Sequence, residues 1–280
     1  MNALAVTGYA GVDYVVGLVG QIAGDHTTLI DYRDPDDWPR VGGCPAYVAM
    51  AVAQHGHRAY PVSWTGSDDH GDFYLAGLTA VGVDTKAVSR LDRKSPMSIL
   101  GYQADGTCAC LFDPGFGGEE VLTDTQRALI SAASHVCVTV GPPQVTADIL
   151  SARNEKARLY WICKNDLHCF TPPIRKRLSA EADVIFLSSS ERGLVGNTRD
   201  TAVIVETLGS EGVRVATADS AGQLPVERIA VRDTTGAGDT FAGGFIAAEM
   251  AGTASPLDAA RAGIASVSAM LTKRSARGET

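Results

Sequence analysis

Asp239 directly follows Gly236-Ala237-Gly238, and that order of residue types has a chemical meaning. Small residues let a backbone approach a ligand closely and adopt φ values closed to larger side chains. If the turn opens a helix, its first N–H groups lack intrahelical acceptors and carry the positive end of the helix dipole, so they can bind an anion. A carboxylate beside such a site can act as general base, taking a proton from a hydroxyl while the N–H groups hold the charge of a transferring phosphoryl group. A plainer reading of the same residues stays open: Asp239 caps the helix and complements its dipole.

The flanking sequence supplies the elements such a turn needs. The apolar run Arg228-Ile229-Ala230-Val231 reads as a strand leading in, and Phe241, Phe245 and Ala248 share one face of a helix leading out. Upstream, residues 3–7 read as a buried strand, 14–20 as a second strand and 24–40 as a polar connection. Val41-Gly42-Gly43-Cys44-Pro45-Ala46 leads into a helix over 46–55, with Pro45 near its start. Arg58–Thr65 reads as a strand and the turn Gly66–Phe73 as the entry to a helix reaching about Ala80. Ala104-Asp105-Gly106 lies between the runs 96–103 and 107–112, a strong hairpin signal. From residue 120 helices (123–133, 145–156, 173–180) alternate with strands (135–140, 158–163, 183–187), which predicts a parallel, doubly wound sheet. Further strands are expected over 213–217 and 226–231, and an Ala-rich helix over 260–273. Ligands of such sheets sit beyond the carboxyl ends of the strands, where these loops fall.

Composition narrows the function classes. The chain has 280 residues, 45% hydrophobic and 20% charged, ordinary for a globular protein. A net charge of −8 without any basic run argues against nucleic acid or an anionic membrane as partner. The N-terminus lacks a basic leader and is interrupted by Asp13, so it reads as a strand and not as a signal peptide. No run is long enough to span a membrane. The six cysteines are scattered, which suggests reduced thiols and a cytoplasmic protein. Cys163–Cys169 has no second cluster at zinc-like spacing, so no metal is assigned to it. There is no Gly-x-x-x-x-Gly-Lys-Ser/Thr loop and there are six lysines, so backbone N–H groups would have to meet most of any phosphate charge.

Asp233-Thr234-Thr235-Gly236-Ala237-Gly238-Asp239 resembles the C-terminal signature of the ribokinase-like (PfkB) carbohydrate and nucleoside kinases, and the likeness runs along most of the chain. Gly42-Gly43 is similar to the first signature of that family, Gly66–Phe73 to its Gly-x-Asp-x-x-Gly turn, and Thr207-Leu208-Gly209-Ser210-Glu211-Gly212 to its Thr-x-Gly-x-x-Gly nucleotide loop. The resemblance implies an α/β fold with a doubly wound, mostly parallel sheet flanked by helices and a small β-sheet lid. It places residues 1–12, 41–90 and 113–280 in a nucleotide- and substrate-binding core and residues 13–40 and 91–112 in the lid. It implies ATP-dependent phosphorylation of a hydroxymethyl group on a small sugar. A nucleoside acceptor, or a non-catalytic relative that only binds nucleotide or sugar, are its alternatives. In this scheme Asp239 is the base and Gly236, Ala237 and Gly238 are the anion hole. Asp13, Gly42, Gly43 and Asn165 meet the acceptor, while Thr207, Gly209, Gly212 and Asp233 serve the nucleotide. Glu191 acts on Mg²⁺ through water, and the region of Asp233 can also hold a monovalent cation. A homodimer through the lid is implied as well.

The sequence departs from the family pattern in places. Cys44 and Tyr47 follow the glycine pair where an Asn is common. Cys163 replaces the Asp of an Asp-x-Asn, and Ser188 replaces the Asn of an Asn-x-x-Glu that ends in Glu191. The chain between Glu191 and Thr207 is short, as though one helix were cut down.

Overall fold

The computed structural model describes residues 2–278. In chain order, the first part contains β1 (Ala3–Thr7), β2 (Gly11–Leu18), β3 (Ile30–Tyr32), β4 (Arg40–Gly42), α1 (Cys44–Gln54), β5 (Arg58–Gly66), α2 (Asp69–Ala80), β6 (Val88–Leu91), β7 (Met97–Tyr102) and β8 (Cys108–Asp113). There follow α3 (Asp124–Ala132), β9 (His135–Val138), α4 (Pro143–Ala152), β10 (Arg158–Ile162), α5 (Pro172–Glu181), β11 (Val184–Ser188), β12 (Val203–Thr207), β13 (Val213–Ala216), β14 (Ala221–Leu224), α6 (Ala237–Met250) and α7 (Pro256–Gly278).

Nine strands form the large sheet in the order β14-β13-β12-β11-β10-β9-β1-β5-β6. It is parallel from β12 through β6, and β13 and β14 close one edge antiparallel. Every residue of β1 is buried, as a strand covered on both faces must be, which is why it reads as a continuous apolar run. Alternate side chains divide the core in two. Leu4 and Val6 pack with α1 and α6, and Ala5 packs with Val138, Trp161 and Leu178 on the other side. Local signals agree with the tertiary ones: Thr123 and Gln126 cap α3 reciprocally, and buried Gln126 then donates to the carbonyls of Ser63 and Ala87.

The parallel arrangement gathers the ends of β1, β9, β10, β11 and β12 at one edge, and α1 and α6 both start there. Phe241 and Phe245 of α6 meet Phe186 of β11 edge-on, with ring centroids 6.1 and 5.2 Å away. Gly243 lets α6 lie against α1: a Cβ there would come within 2.6 Å of the Ala51 methyl. The helix that carries Asp239 is therefore wedged between the sheet and α1.

A second sheet, β3-β2-β7-β8 with β4 added to β2, stands over this edge. β2 pairs parallel with β7, and β7 and β8 form the hairpin predicted at Asp105-Gly106. Ser98, Leu100 and Tyr102 share one face with their partners Phe112, Cys110 and Cys108, while Ile99 and its partner Leu111 are exposed on the other.

Two expectations need correction. β2 begins at Gly11, not at residue 14, so Asp13 is a strand residue paired with Arg40 of β4. The run 226–231 is not a strand. Its carbonyls turn to α7 instead of to a neighbouring strand: the Ser275 hydroxyl donates to the Ala230 oxygen, and Arg274 donates to the Thr235 oxygen just beyond. Between β11 and β12 there is only a short 3-10 helix, Ser189–Leu194, where the alternation would place a full one.

Candidate active site

Gly236 caps α6 in the left-handed region, φ 75°, and a Cβ there would lie 2.5 Å from the Tyr47 ring. Both facts restrict the position to glycine. Ala237 donates back to the Thr234 oxygen and Thr240 to the Gly236 oxygen. The N–H groups of Gly238 and Asp239 between them have no backbone acceptor among the described residues, which is the unsatisfied first turn that an anion can occupy.

Asp239 is 5% exposed, and its Oδ1 has no hydrogen-bond partner among the described residues. The Lys164 ammonium lies 3.7 Å from that oxygen. Lys164 follows β10, so the parallel sheet aims it at the start of α6. The Asp239 carboxylate holds the Lys164 ammonium well above the usual lysine range, outweighing burial. Cys44, at the start of α1, completes this corner. Burial and then the charge of Asp239 push its thiol far up, so it stays protonated.

Asp13 is 3% exposed, and the Tyr47 hydroxyl donates to its Oδ2 across 3.4 Å. Burial pushes its carboxyl up to about 6, against the hydrogen bond from Ser98, the charge of Arg40 and the Tyr47 hydroxyl. Gly42 lies directly on that carboxyl group, since a Cβ would fall 2.1–2.2 Å from its atoms. Gly43 has φ 83° and faces the Tyr9 carbonyl. Tyr47 thus links two regions of the site, its ring on Gly236 and its hydroxyl on Asp13.

Asp233 is buried. Its Oδ2 accepts from Arg40 at 2.6 Å, and its Oδ1 accepts the Thr235 N–H at 2.8 Å. Burial alone would raise this carboxyl, but Arg40 and then Arg274 hold it below the usual carboxylate range. From the second sheet Tyr102 reaches the same loop, its hydroxyl 3.0 Å from the Thr235 hydroxyl and accepting the Thr234 N–H. That contact ties the small sheet to the turn carrying the anion site.

The remaining candidates lie along the strand ends. Asn165 is exposed, one residue past Lys164. Glu191 caps the 3-10 helix by accepting the Ser188 N–H at 2.6 Å, and its charge is felt by Lys164 and by Cys163, whose thiol is pushed up to about 12 by burial and then by Glu191. Thr207 pairs with Ser188 at the neighbouring strand end, its hydroxyl donating to the Leu187 oxygen. Gly209 and Gly212 have φ 57° and 105° in the turn that follows. The fold therefore brings Asp13, Gly42, Gly43, Asp233 and Gly236–Asp239 into one cluster, and the charge of Glu191 is felt at its Lys164. Among the described residues no hydrogen bond or ion pair joins that cluster to the Thr207–Gly212 turn. Lys164, Tyr102, Arg40 and Arg274 escaped the sequence reading because each is an isolated residue of common type with no spacing to mark it.

The family model for pfkB family carbohydrate kinases matches residues 26–280. The chain belongs to this family. Over 225 residues this pfkB-family chain is 31% identical to the ATP-dependent ribose-1-phosphate kinase of Halopiger xanaduensis, spanning 74% of this chain and 72% of that one. It is 26% identical over 234 residues to a fructokinase of Rhizobium leguminosarum bv. trifolii, covering 75% and 71% of the two chains. Its fold is that of the ribokinase from Cryptococcus neoformans solved in complex with ADP, with TM-score 0.78 and 21% identity over 93% of this chain and 91% of the other.

Proposed function

We propose that this pfkB-family chain transfers the γ-phosphoryl group of ATP to a hydroxymethyl group of a small sugar. One observation carries the reading: among the described residues, buried Asp239 keeps an oxygen without a hydrogen-bond partner, facing Lys164, in the same helical turn as two N–H groups without acceptors. A cap or dipole partner has no need of a buried oxygen left free and a lysine aimed at it. A general base with a charge-binding turn beside it does.

In this mechanism Asp13 accepts hydrogen bonds from acceptor hydroxyls, and Gly42 and Gly43 let the acceptor approach the backbone. The acceptor hydroxyl gives its proton to Asp239 as its oxygen bonds the γ-phosphorus and the bond to the β-phosphate oxygen breaks, leaving ADP. The N–H groups of Gly238 and Asp239 and the Lys164 ammonium meet the charge of the group in transit. Thr207, Gly209, Gly212 and Asp233 are assigned to the nucleotide side. Glu191, whose charge is felt by Lys164, is a lone hard oxygen donor, which suits a hydrated Mg²⁺ better than a cage of protein ligands would, so it would hold the ion through water. When bound, Mg²⁺ offsets charge on the donor's phosphates.

ADP release from Mg·ATP, measured against ribose, fructose, ribose 1-phosphate and a set of nucleosides, tests this reading. Turnover with a sugar is expected. Turnover confined to nucleosides would replace the acceptor, and nucleotide binding with no turnover on any acceptor would leave a non-catalytic binder.

The Asp13 carboxyl gives a pH prediction. Its folded pKa of about 6 lies above the unfolded value of roughly 3.9, so the folded state binds the extra proton and stability falls as pH rises from about 4 to about 6. Acceptor binding needs the carboxylate. The KM for the acceptor should therefore rise as pH falls through about 6, and Asp13→Asn should abolish that dependence. A KM flat across this range in the wild type would remove Asp13 from acceptor recognition.

Lys164 gives another. Lys164→Met should lower kcat by about 10-fold or more, the size of a lost charge-assisted contact, with a smaller change in acceptor KM. Lys164→Arg should recover part of the loss. Unchanged kcat in Lys164→Met would show that the lysine only packs there.

A further inference from the structure

Asp233 Oδ2, the Asp233 carbonyl and the Thr235 carbonyl converge on one point just before the anion-binding turn. A carboxylate and two carbonyls directed at a common centre are the hard oxygen set that a monovalent cation takes, and the family resemblance implies such an ion in this region. Here that centre belongs to a guanidinium. Arg274 Nη1 donates to the Thr235 oxygen at 2.6 Å and lies 3.5 Å from the Asp233 oxygen and 3.6 Å from Asp233 Oδ2. Its side chain is 11% exposed. The other oxygen positions are also taken, because Arg40 Nη1 is 2.6 Å from Oδ2 and the Thr235 N–H donates to Oδ1. Two guanidinium groups already hold this one buried carboxylate, and Arg40 also reaches Asp37 at 3.6 Å, so the oxygens an ion would need are taken by side-chain cations. The residues present do not fit the ion.

We propose that Arg274 is a built-in cation that organises the Asp233–Gly236 loop and makes this protein independent of a monovalent ion. The arginine does what a bound ion would do there: it neutralises Asp233 and draws the Asp233 and Thr235 carbonyls to one side, so that Gly236 can turn left-handed and present the next N–H groups to an anion. All three contacts run from the one nitrogen Nη1, and the guanidinium keeps its charge at any working pH, as a bound ion would. Its position is fixed by α7, whose next residue, Ser275, bonds the Ala230 oxygen of the same loop. The turnover consequence rests on the proposed phosphoryl transfer; the consequence for the loop's stability does not.

The test compares thermal unfolding midpoints, Mg·ATP binding by calorimetry and turnover in potassium, sodium and tetramethylammonium chloride at equal ionic strength. Wild-type protein should give the same midpoint and ATP affinity in all three salts, and turnover within about twofold. Arg274→Ala should melt lower and bind ATP about 10-fold or more weakly in tetramethylammonium, the loss expected for charge-assisted hydrogen bonds. Potassium, or millimolar guanidinium entering the roughly 330 Å³ hollow lined by Asp233 and Arg274, should restore part of both. Arg274→Lys, which keeps the charge on a shorter side chain, should fall between and keeps the test open if the alanine variant does not fold. A potassium-specific rise in midpoint or ATP affinity of the wild type would overturn the proposal. So would an Arg274→Ala variant equal to wild type in tetramethylammonium. Because midpoints need no acceptor, a failed kinase reading would show as absent turnover with the salt pattern intact.

Discussion

Asp239→Asn is expected to lower kcat by ~10²–10⁴-fold while the KM values for ATP and acceptor change by no more than about threefold. The amide keeps the size and the helical position of the carboxylate, so the first turn of α6 and its two acceptor-free N–H groups persist. What disappears is the carboxylate proposed to take the proton. Lys164, 3.7 Å from Oδ1, then faces a neutral amide, so some of the loss reflects a lysine without its counter-charge. Lys164→Met combined with Asp239→Asn should therefore cost less than the two single losses together. Steady-state kinetics on the three variants checks both statements. A kcat within tenfold of wild type in Asp239→Asn would remove it from the role of base.

Gly42→Ala should raise the acceptor KM by about 100-fold, the cost of misplacing a binding group by about an ångström. The added methyl would stand 2.1–2.2 Å from the Asp13 carboxyl atoms, so the carboxyl must move. It has little room, since Tyr47 and the backbone of β4 enclose it. Overpacking of this kind costs about 1–3 kcal/mol of stability. Because the clash is with one side chain, Asp13→Ala should relieve it: the double variant should be more stable than Gly42→Ala alone, while acceptor binding stays weak. Denaturant unfolding of the single and double variants measures the coupling. A Gly42→Ala variant with normal stability and normal acceptor KM would contradict the packing described here.

Most of what the sequence made legible was local. The Gly-Ala-Gly-Asp turn, the Asp105-Gly106 hairpin and the strand–helix alternation each depend on backbone preferences and periodicity that neighbours in the chain determine. Asp239 could be found because its meaning lies in three preceding small residues. Lys164 could not, because its meaning lies in Asp239, seventy-five positions away and across a sheet. The same holds for Tyr102, which matters only because the small sheet folds onto Thr234 and Thr235, and for Arg274, one arginine on an Ala-rich helix. The misread strand at 226–231 has a related cause. Its pattern is extended, but the hydrogen bonds that decide such a segment come from α7, which a local reading does not see.

The departures from the family pattern take on physical sense together. Tyr47 stands where a family Asn is common, and its length lets it pack on Gly236 while still reaching Asp13. Lys164 follows Cys163, which stands where a family Asp is common, and its ammonium lies 3.7 Å from Asp239.

Phosphorus NMR of the product tests the central claim most directly. The protein would be incubated with Mg·ATP and the sugar that gives turnover. Loss of the γ-phosphate signal is expected with growth of one phosphomonoester resonance, split by the two protons of a CH₂–O–P group, and growth of that resonance slowed by ~10²–10⁴-fold with Asp239→Asn. Inorganic phosphate as the only product, or a phosphoester coupled to a single proton of a ring carbon, would contradict transfer to a hydroxymethyl group.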